Sequence, residues 1–227
     1  RRATFGIQFG HVERATHDNT SWERAQFEVP GHGWMDLSQP GLGVAVLDDG
    51  KFGRSARHGV LGLSLLKSPN FPDPTADRGH HRFTYSMMVH AGCWRAAGVD
   101  AQAEQLNHPL VGMELRGAPR TAGPGVRADW QGVRVDCLGA GHLEVAALKP
   151  AEEPGGCALR VVEVRGGAGI GEVRWGFPVR DVQPTDLFER SVALAGFEHD
   201  VAAGVTRFAV RPFGIVTLRA QFAGAGA

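Results

Sequence analysis

The segment Pro72-Asp73-Pro74-Thr75-Ala76-Asp77-Arg78-Gly79-His80-His81 gathers two carboxylates and two imidazoles, ligand types that zinc or calcium would take. Its spacing argues against a metal site. Two prolines hold the start extended, so nothing sets Asp73, Asp77, His80 and His81 on one face as a helical His-x-x-x-His would. His81 reads instead as the start of a strand whose ring bonds a neighbouring carbonyl. Asp48-Asp49-Gly50-Lys51-Phe52-Gly53 offers two adjacent carboxylates beside an ammonium, a set that can hold a hydroxylated ligand. It also has the chemistry of a tight turn, with Asp-Gly supplying a positive φ. Without a second, opposed acid at glycosidase distance these groups do not form a catalytic pair.

Other chemistries fail on context. Ser64 lies inside Leu63-Ser64-Leu65-Leu66 and lacks the Gly-x-Ser-x-Gly elbow that exposes a nucleophile. The glycines from Gly166 to Gly171 do not keep dinucleotide-loop spacing and lead into another strand, so they read as a hairpin turn. Thr16-His17-Asp18-Asn19-Thr20-Ser21-Trp22-Glu23-Arg24 is the densest polar cluster. Its hydroxyls and amides suit a structured loop entering a strand at Ala25 to Val29, and a sugar-contacting loop is the sharper alternative.

The elements that would position these residues are strands. Gly at 32 of 227 residues is about twice the usual share, and with 13 Pro it punctuates the chain into short runs. Besides Ala25 to Val29, strands are expected at Gly43 to Leu47, Val60 to Leu66, Phe83 to His90, His142 to Leu148, Ala158 to Val164, Glu172 to Phe177, Thr206 to Val210 and Gly214 to Leu218. Trp94 to Leu106 has helical composition weakened by Gly98. Arg116 to Gln131 reads as a long exposed loop, and the Ala and Gly tail from Ala223 to Ala227 as a fraying end. This predicts an all-β, antiparallel β-sandwich chain, with a large domain over residues 1–140 and a smaller sandwich over 141–227.

Composition excludes several partners. With 24 basic and 24 acidic residues there is no net field to draw in nucleic acid. No apolar run reaches 18 residues, so a membrane span is not expected. Cys93, Cys137 and Cys157 are odd in number and scattered, which gives neither a disulfide framework nor a CxxC metal site and favours a reducing, cytoplasmic setting. The chain opens without Met, on Arg1-Arg2-Ala3-Thr4-Phe5-Gly6-Ile7, already alternating as a strand, and is expected to be a fragment of a longer polypeptide.

A longer pattern carries more specific information. Phe9-Gly10, Glu13-Arg14, Thr16-His17, Asn19-Thr20-Ser21-Trp22, Phe27-Glu28-Val29, His32, Trp34, Asp36-Leu37-Ser38 and Pro40-Gly41 stand in an order that resembles the carboxyl-terminal region of the family 38 α-mannosidases. Ser68-Pro69, Pro72-Asp73-Pro74, Ala76-Asp77, His81, Tyr85, His90 and Leu106-Asn107 continue it. Ala147-Leu148-Lys149-Pro150, Leu159-Arg160, Glu163, Thr185-Asp186-Leu187 and Glu189-Arg190 resemble the terminal small sandwich. Departures stand at Asp48-Asp49, where an Asn-Asp pair is usual, at Phe52 in place of Tyr, at Val89 in place of Pro, and at Gly214 in place of an acid.

The resemblance implies a large mutarotase-like sandwich followed by a smaller one, in an enzyme that releases terminal α-linked mannose from oligosaccharides with retention. Its two carboxyl groups and zinc would sit in an amino-terminal catalytic domain that this chain lacks. No catalytic or metal-ligating residue carries over, and no cofactor is expected on this portion. The expected partners are that catalytic domain and the α-mannoside oligosaccharide, with a homo-oligomer through an uncovered apolar face as a further option. Trp34, Asp36, Asp48 and Lys51 are the residues expected nearest the sugar. The alternative is a free-standing carbohydrate-binding or protein-interaction sandwich.

Overall fold

A computed structural model describes residues 2–112 and 132–223, which form two compact units on either side of the stretch between them. The expected loop at Arg116 to Gln131 and most of the Ala/Gly tail lie outside the described residues. No helix among the described residues is long and apolar enough to cross a membrane.

The first unit holds β1 (Arg2–Ile7), β2 (Gly10–Ala15), α1 (Ser21–Ala25), β3 (Val29–Pro30), β4 (Trp34–Gln39), β5 (Leu42–Asp48), β6 (Gly53–Arg57), β7 (Val60–Leu63), β8 (Tyr85–His90), α2 (Trp94–Ala97) and α3 (Val99–Asn107). Five strands form one antiparallel sheet in the order β2-β1-β4-β5-β8, and three form a second in the order β3-β6-β7. Alternation along each strand gives the larger sheet two apolar faces. On one, Ala3, Phe5 and Met35 pack with Val29 and Ala56, backed by Leu61 and Leu63. On the other, Trp34, Ala45 and Leu47 pack with Trp94, Val99 and Ala103 of the two helices. The helical segment expected at Trp94 to Leu106 is thus present, divided at Gly98, whose φ of 65° is open to glycine at little cost.

The strand expected at Ala25 to Val29 is not formed. Thr20 and Glu23 make a reciprocal capping box: Thr20 Oγ1 accepts from the Glu23 amide at 3.2 Å, and Glu23 Oε2 accepts from the Thr20 amide at 2.9 Å. That closes a single helical turn over Ser21–Ala25 and leaves only Val29 and Pro30 extended.

The second unit holds β9 (Val133–Gly139), β10 (Leu143–Pro150), β11 (Gly156–Glu163), β12 (Gly169–Trp175), β13 (Val179–Thr185), β14 (Glu198–Asp200), β15 (Val205–Val210) and β16 (Ile215–Phe222). They form two four-stranded antiparallel sheets, β10-β11-β16-β13 and β14-β15-β12-β9. Leu143, Leu159, Val161 and Leu218 of the first meet Val173, Trp175, Phe208 and Val210 of the second in one core. β9 pairs along its length with β12, from Gly139 opposite Gly169 to Val133 opposite Trp175, so it is a strand of this unit, whereas the sequence places the division after residue 140.

The glycine-rich run from Gly166 to Gly171 is not a hairpin turn. β11 bonds to β10 and β16, while β12 bonds to β9 and β15, so this run carries the chain from one sheet to the other. Its glycines let two backbones touch: a Cβ on Gly167 would lie 2.1 Å from the Ala140 carbonyl oxygen.

Candidate functional site

The turn between β5 and β6 is built around Asp48. Its Oδ1 accepts from the amides of Gly50 at 3.2 Å and Lys51 at 2.7 Å, an Asx arrangement that closes the turn locally. Its Oδ2 accepts from Arg54 Nη2 at 2.5 Å, and the same guanidinium donates to the Lys51 carbonyl at 3.1 Å. Both side chains are closed to solvent. Asn107 Nδ2 donates to the Asp48 carbonyl at 3.0 Å and to the Ala103 carbonyl at 2.9 Å, tying the end of α3 to this turn. Arg54 Nε and Nη1 have no protein partner. Gly31 runs directly over this arginine, since a Cβ there would lie 2.5 Å from Arg54 Cδ.

Outward from that pair the turn presents Asp49, Lys51 and Phe52. The Asp49 amide donates to the Thr84 carbonyl at 3.1 Å, and Asp49 Oδ2 accepts from the Thr84 amide at 3.1 Å. Hydrogen bonds from Thr84, side chain then backbone, hold the Asp49 carboxyl below its ordinary value. Lys51 Nζ lies 4.1 Å from the centroid of Phe83, a cation–π contact. Phe52 is 57% exposed and meets His32 edge-on at 4.9 Å, while His32 Nε2 is 2.9 Å from Gln8 Nε2. One end of the unit therefore carries an exposed ring flanked by imidazole, amide and ammonium groups. Such a rim can stack on a pyranose and bond its hydroxyls. It has no pair of opposed free carboxyl groups, because Asp48 is spent on Arg54 and Asp49 on Thr84.

Of the four residues expected nearest a sugar, Asp48 and Lys51 meet within this turn. Trp34 and Asp36 lie on the sheet face covered by the helices. Trp34 is buried, its ring centroid 4.7 Å from that of Trp94. Asp36 is buried, with Oδ2 at 2.7 Å from His90 Nε2 and Oδ1 accepting from the Ser38 hydroxyl. A Cβ on Gly43 would overlap His90 at 2.1 Å from Cε1, so that glycine makes room for the imidazole. The donor atoms around Asp73 serve the loop itself: Asp73 Oδ1 accepts from Thr75, Asp77 Oδ2 from the Ser68 amide, and His81 Nε2 lies 2.8 Å from the Asp77 carbonyl.

Sequence reasoning did not find Arg54, though a signal exists: a carboxylate at a strand end needs a cation if it is buried, and Arg54 is six positions on. Nor did it assign roles to two acids of the second unit. Glu163 is fully buried and accepts from the amides of His142 at 3.1 Å, Arg165 at 2.9 Å, Gly166 at 2.8 Å and Phe213 at 2.8 Å. Glu189, at φ 60°, accepts from Lys149 Nζ at 2.5 Å and the Glu152 amide at 2.9 Å. Both clamp loops.

Comparisons with known proteins agree in kind. A family model described as the glycosyl hydrolases family 38 C-terminal domain matches residues 1–75, and one described as the family's C-terminal β-sandwich domain matches residues 142–218. Human alpha-mannosidase 2C1 is 40% identical over 189 residues, covering 83% of this chain and 18% of that protein. Alpha-mannosidase G of Dictyostelium discoideum is 51% identical over 108 residues, 48% of this chain and 10% of that one. The chain thus spans about a fifth or less of the length of these relatives. A solved alpha-mannosidase from Enterococcus faecalis V583 superposes with a TM-score of 0.66 at 17% identity, covering 96% of this chain and 24% of that one, which is a likeness of fold.

Proposed function

This chain belongs to the carboxyl-terminal region of the glycosyl hydrolases of family 38, and from that premise we propose that it is the non-catalytic β-sandwich portion of an α-mannosidase. On this reading the retaining hydrolysis of terminal α-linked mannose is carried out by a catalytic domain earlier in the same polypeptide, which also supplies the zinc. The observation that carries the proposal is the pairing of two family matches in order, at residues 1–75 and 142–218, with a site whose acids are already committed to protein partners.

Within the proposal, Lys51 and Phe52 are the side chains that meet oligosaccharide. Asp48 is a positioning residue that fixes the turn from below, and Trp34 and Asp36 support the sheet behind it. The division into a large sandwich over residues 1–140 and a smaller one over 141–227 is kept in kind, and the pairing of β9 (Val133–Gly139) with β12 favours a boundary ahead of Val133. A cytoplasmic setting is proposed from three cysteines that form no disulfide.

The second reading, a free-standing carbohydrate-binding module, draws on the exposed rim of Gln8, His32, Lys51 and Phe52. One comparison separates the two. The longer polypeptide should hydrolyse an aryl α-mannoside and release the α-anomer first, followed by NMR. An inactive longer polypeptide, with mannose-oligosaccharide binding by the 227-residue chain lost in Phe52→Ala, would favour the module.

A further inference from the structure

Beside the Asp48 turn, the three-stranded sheet of the first unit carries an open groove of about 410 Å³, a size suited to a small ligand. Val29, Pro30 and Leu65 give its lining an apolar part, and Phe52, more than half exposed, adds a ring. Glu28 and Lys67 line the same groove with opposite charges. The carboxylate of Glu28 is held in place. Ser64 donates its hydroxyl to Glu28 Oε1, and the Ser64 amide donates to the Gly53 carbonyl at 2.9 Å. Gly53 stands opposite Pro30 in the β3–β6 pairing, and a Cβ on it would overlap Glu28 Oε1 and lie 2.9 Å from Ser64 Cβ, so this glycine leaves the space that the carboxylate takes. Among the described residues Glu28 Oε2 has no protein partner, and Lys67 makes no ion pair. Two opposite charges in one groove leave it without net charge: an anion is repelled by Glu28 as it is drawn by Lys67, and a cation meets the reverse. A carboxylate only accepts hydrogen bonds and an ammonium only donates them, so a ligand that uses both offers O–H donors and oxygen acceptors. A neutral pyranose has both, and a C–H face for the phenyl ring as well.

We propose that this groove is a subsite for one hexopyranose unit of a neutral oligosaccharide: Glu28 accepts from a vicinal pair of hydroxyls, Lys67 donates to a further sugar oxygen, and a C–H face of the ring lies on Phe52. The proposal rests on, and extends, the reading in which Lys51 and Phe52 meet oligosaccharide. Phe52 decides for a sugar over a zwitterion, which would also satisfy the two charges. Its ring lines the groove and meets His32 edge-on in the rim with Gln8, so a chain of two or more sugar units that reaches the rim has the groove as its continuation. Ser64 and Gly53 are positioning residues, since they fix the carboxylate without facing the sugar through a charge of their own.

The test titrates the isotope-labelled 227-residue chain with α-mannotriose and follows its amide resonances by NMR. The expected result is saturable binding, with the shifts concentrated at Phe52, Gly53 and Ser64 to Lys67. Glu28→Gln keeps an oxygen for the Ser64 hydroxyl and removes only the charge, and Lys67→Met keeps the apolar stem. Each should raise Kd at least about fivefold, because a hydrogen bond to a charged group is lost. The exposed change Arg24→Ala should leave Kd as it is. No saturable binding, shifts that fall elsewhere, or an unchanged Kd in either groove variant would overturn the subsite. So would binding of a zwitterionic dipeptide at the same amides in place of the sugar. Hydrolysis of an aryl α-mannoside by the longer polypeptide is scored separately. An active enzyme with no sugar in the groove refutes the subsite alone, and sugar in the groove without hydrolysis refutes the enzymatic reading alone.

Discussion

Asp48 and Arg54 form an ion pair at 2.5 Å with neither side chain reachable by solvent. Desolvating two charges costs free energy that their attraction and the amides of Gly50 and Lys51 only partly return, so the pair acts chiefly by fixing one geometry of the turn. Removing one partner leaves a buried charge. Arg54→Met and Asp48→Ala should each lower stability by about 3–5 kcal/mol, while the double variant should cost much less than the sum. Urea unfolding of the four proteins checks this; strictly additive losses would show that the two side chains do not act as a pair.

Gly31 gives a second, independent handle on the same arginine. An added methyl would meet Arg54 Cδ at 2.5 Å and Nε at 2.8 Å, and the guanidinium stem is packed on every side, so it cannot swing out to make room. Gly31→Ala should therefore cost about 1–3 kcal/mol, as overpacking does. Gly59→Ala is a poor control because φ there is 81°, so the comparison is with an exposed surface change such as Arg24→Ala. Equal melting temperatures for Gly31→Ala and the parent would contradict the packing described.

These two positions also mark what the sequence made legible. Strands whose residues are mostly apolar and β-branched, such as β5, β11 and β15, are legible from those runs although each also buries one polar side chain, Asp48, Glu163 and Thr206. β6 reads Gly-Arg-Ser-Ala-Arg, and of its two inward residues, Arg54 and Ala56, one is a charged arginine whose partner lies on another strand and the other is small, so no apolar alternation is visible. β4 hides Asp36 against His90 in the same way, and β13 carries Pro184, which argues against a strand. Alternation also names a strand without naming its neighbours, which is why the Gly166 to Gly171 run resembles a hairpin until the pairing is known. Of the site, the Asp48 turn and Lys51 were legible from Asp-Gly chemistry, and the Arg54 pair was not.

Glu163 is one of the acids whose protonation should weaken the second unit at low pH. Burial raises its pKa, but the amides of Phe213, His142, Arg165 and Gly167 outweigh burial and leave it below the ordinary carboxylate value. A depressed folded-state pKa contributes stability that is full above the unfolded value of about 4.3 and is lost as pH falls through the folded value. Glu163→Gln should lower the melting temperature at pH 7 and shrink the further drop between about pH 5 and about pH 3. A variant with an unchanged acid limb would show that Glu163 is not the group responsible.

The central proposal is that this chain supports a glycosidase without carrying its chemistry: a retaining mechanism needs two opposed carboxyl groups about 5 Å apart, and Asp48, Asp49 and Asp36 bond Arg54, Thr84 and His90. The most direct measurement is the release of nitrophenol from an aryl α-mannoside by the purified 227-residue chain, with zinc added. The account predicts no turnover above the uncatalysed rate, with or without the metal. Turnover by the chain alone, abolished by Asp36→Asn or Asp48→Asn in a variant that still folds, would contradict it.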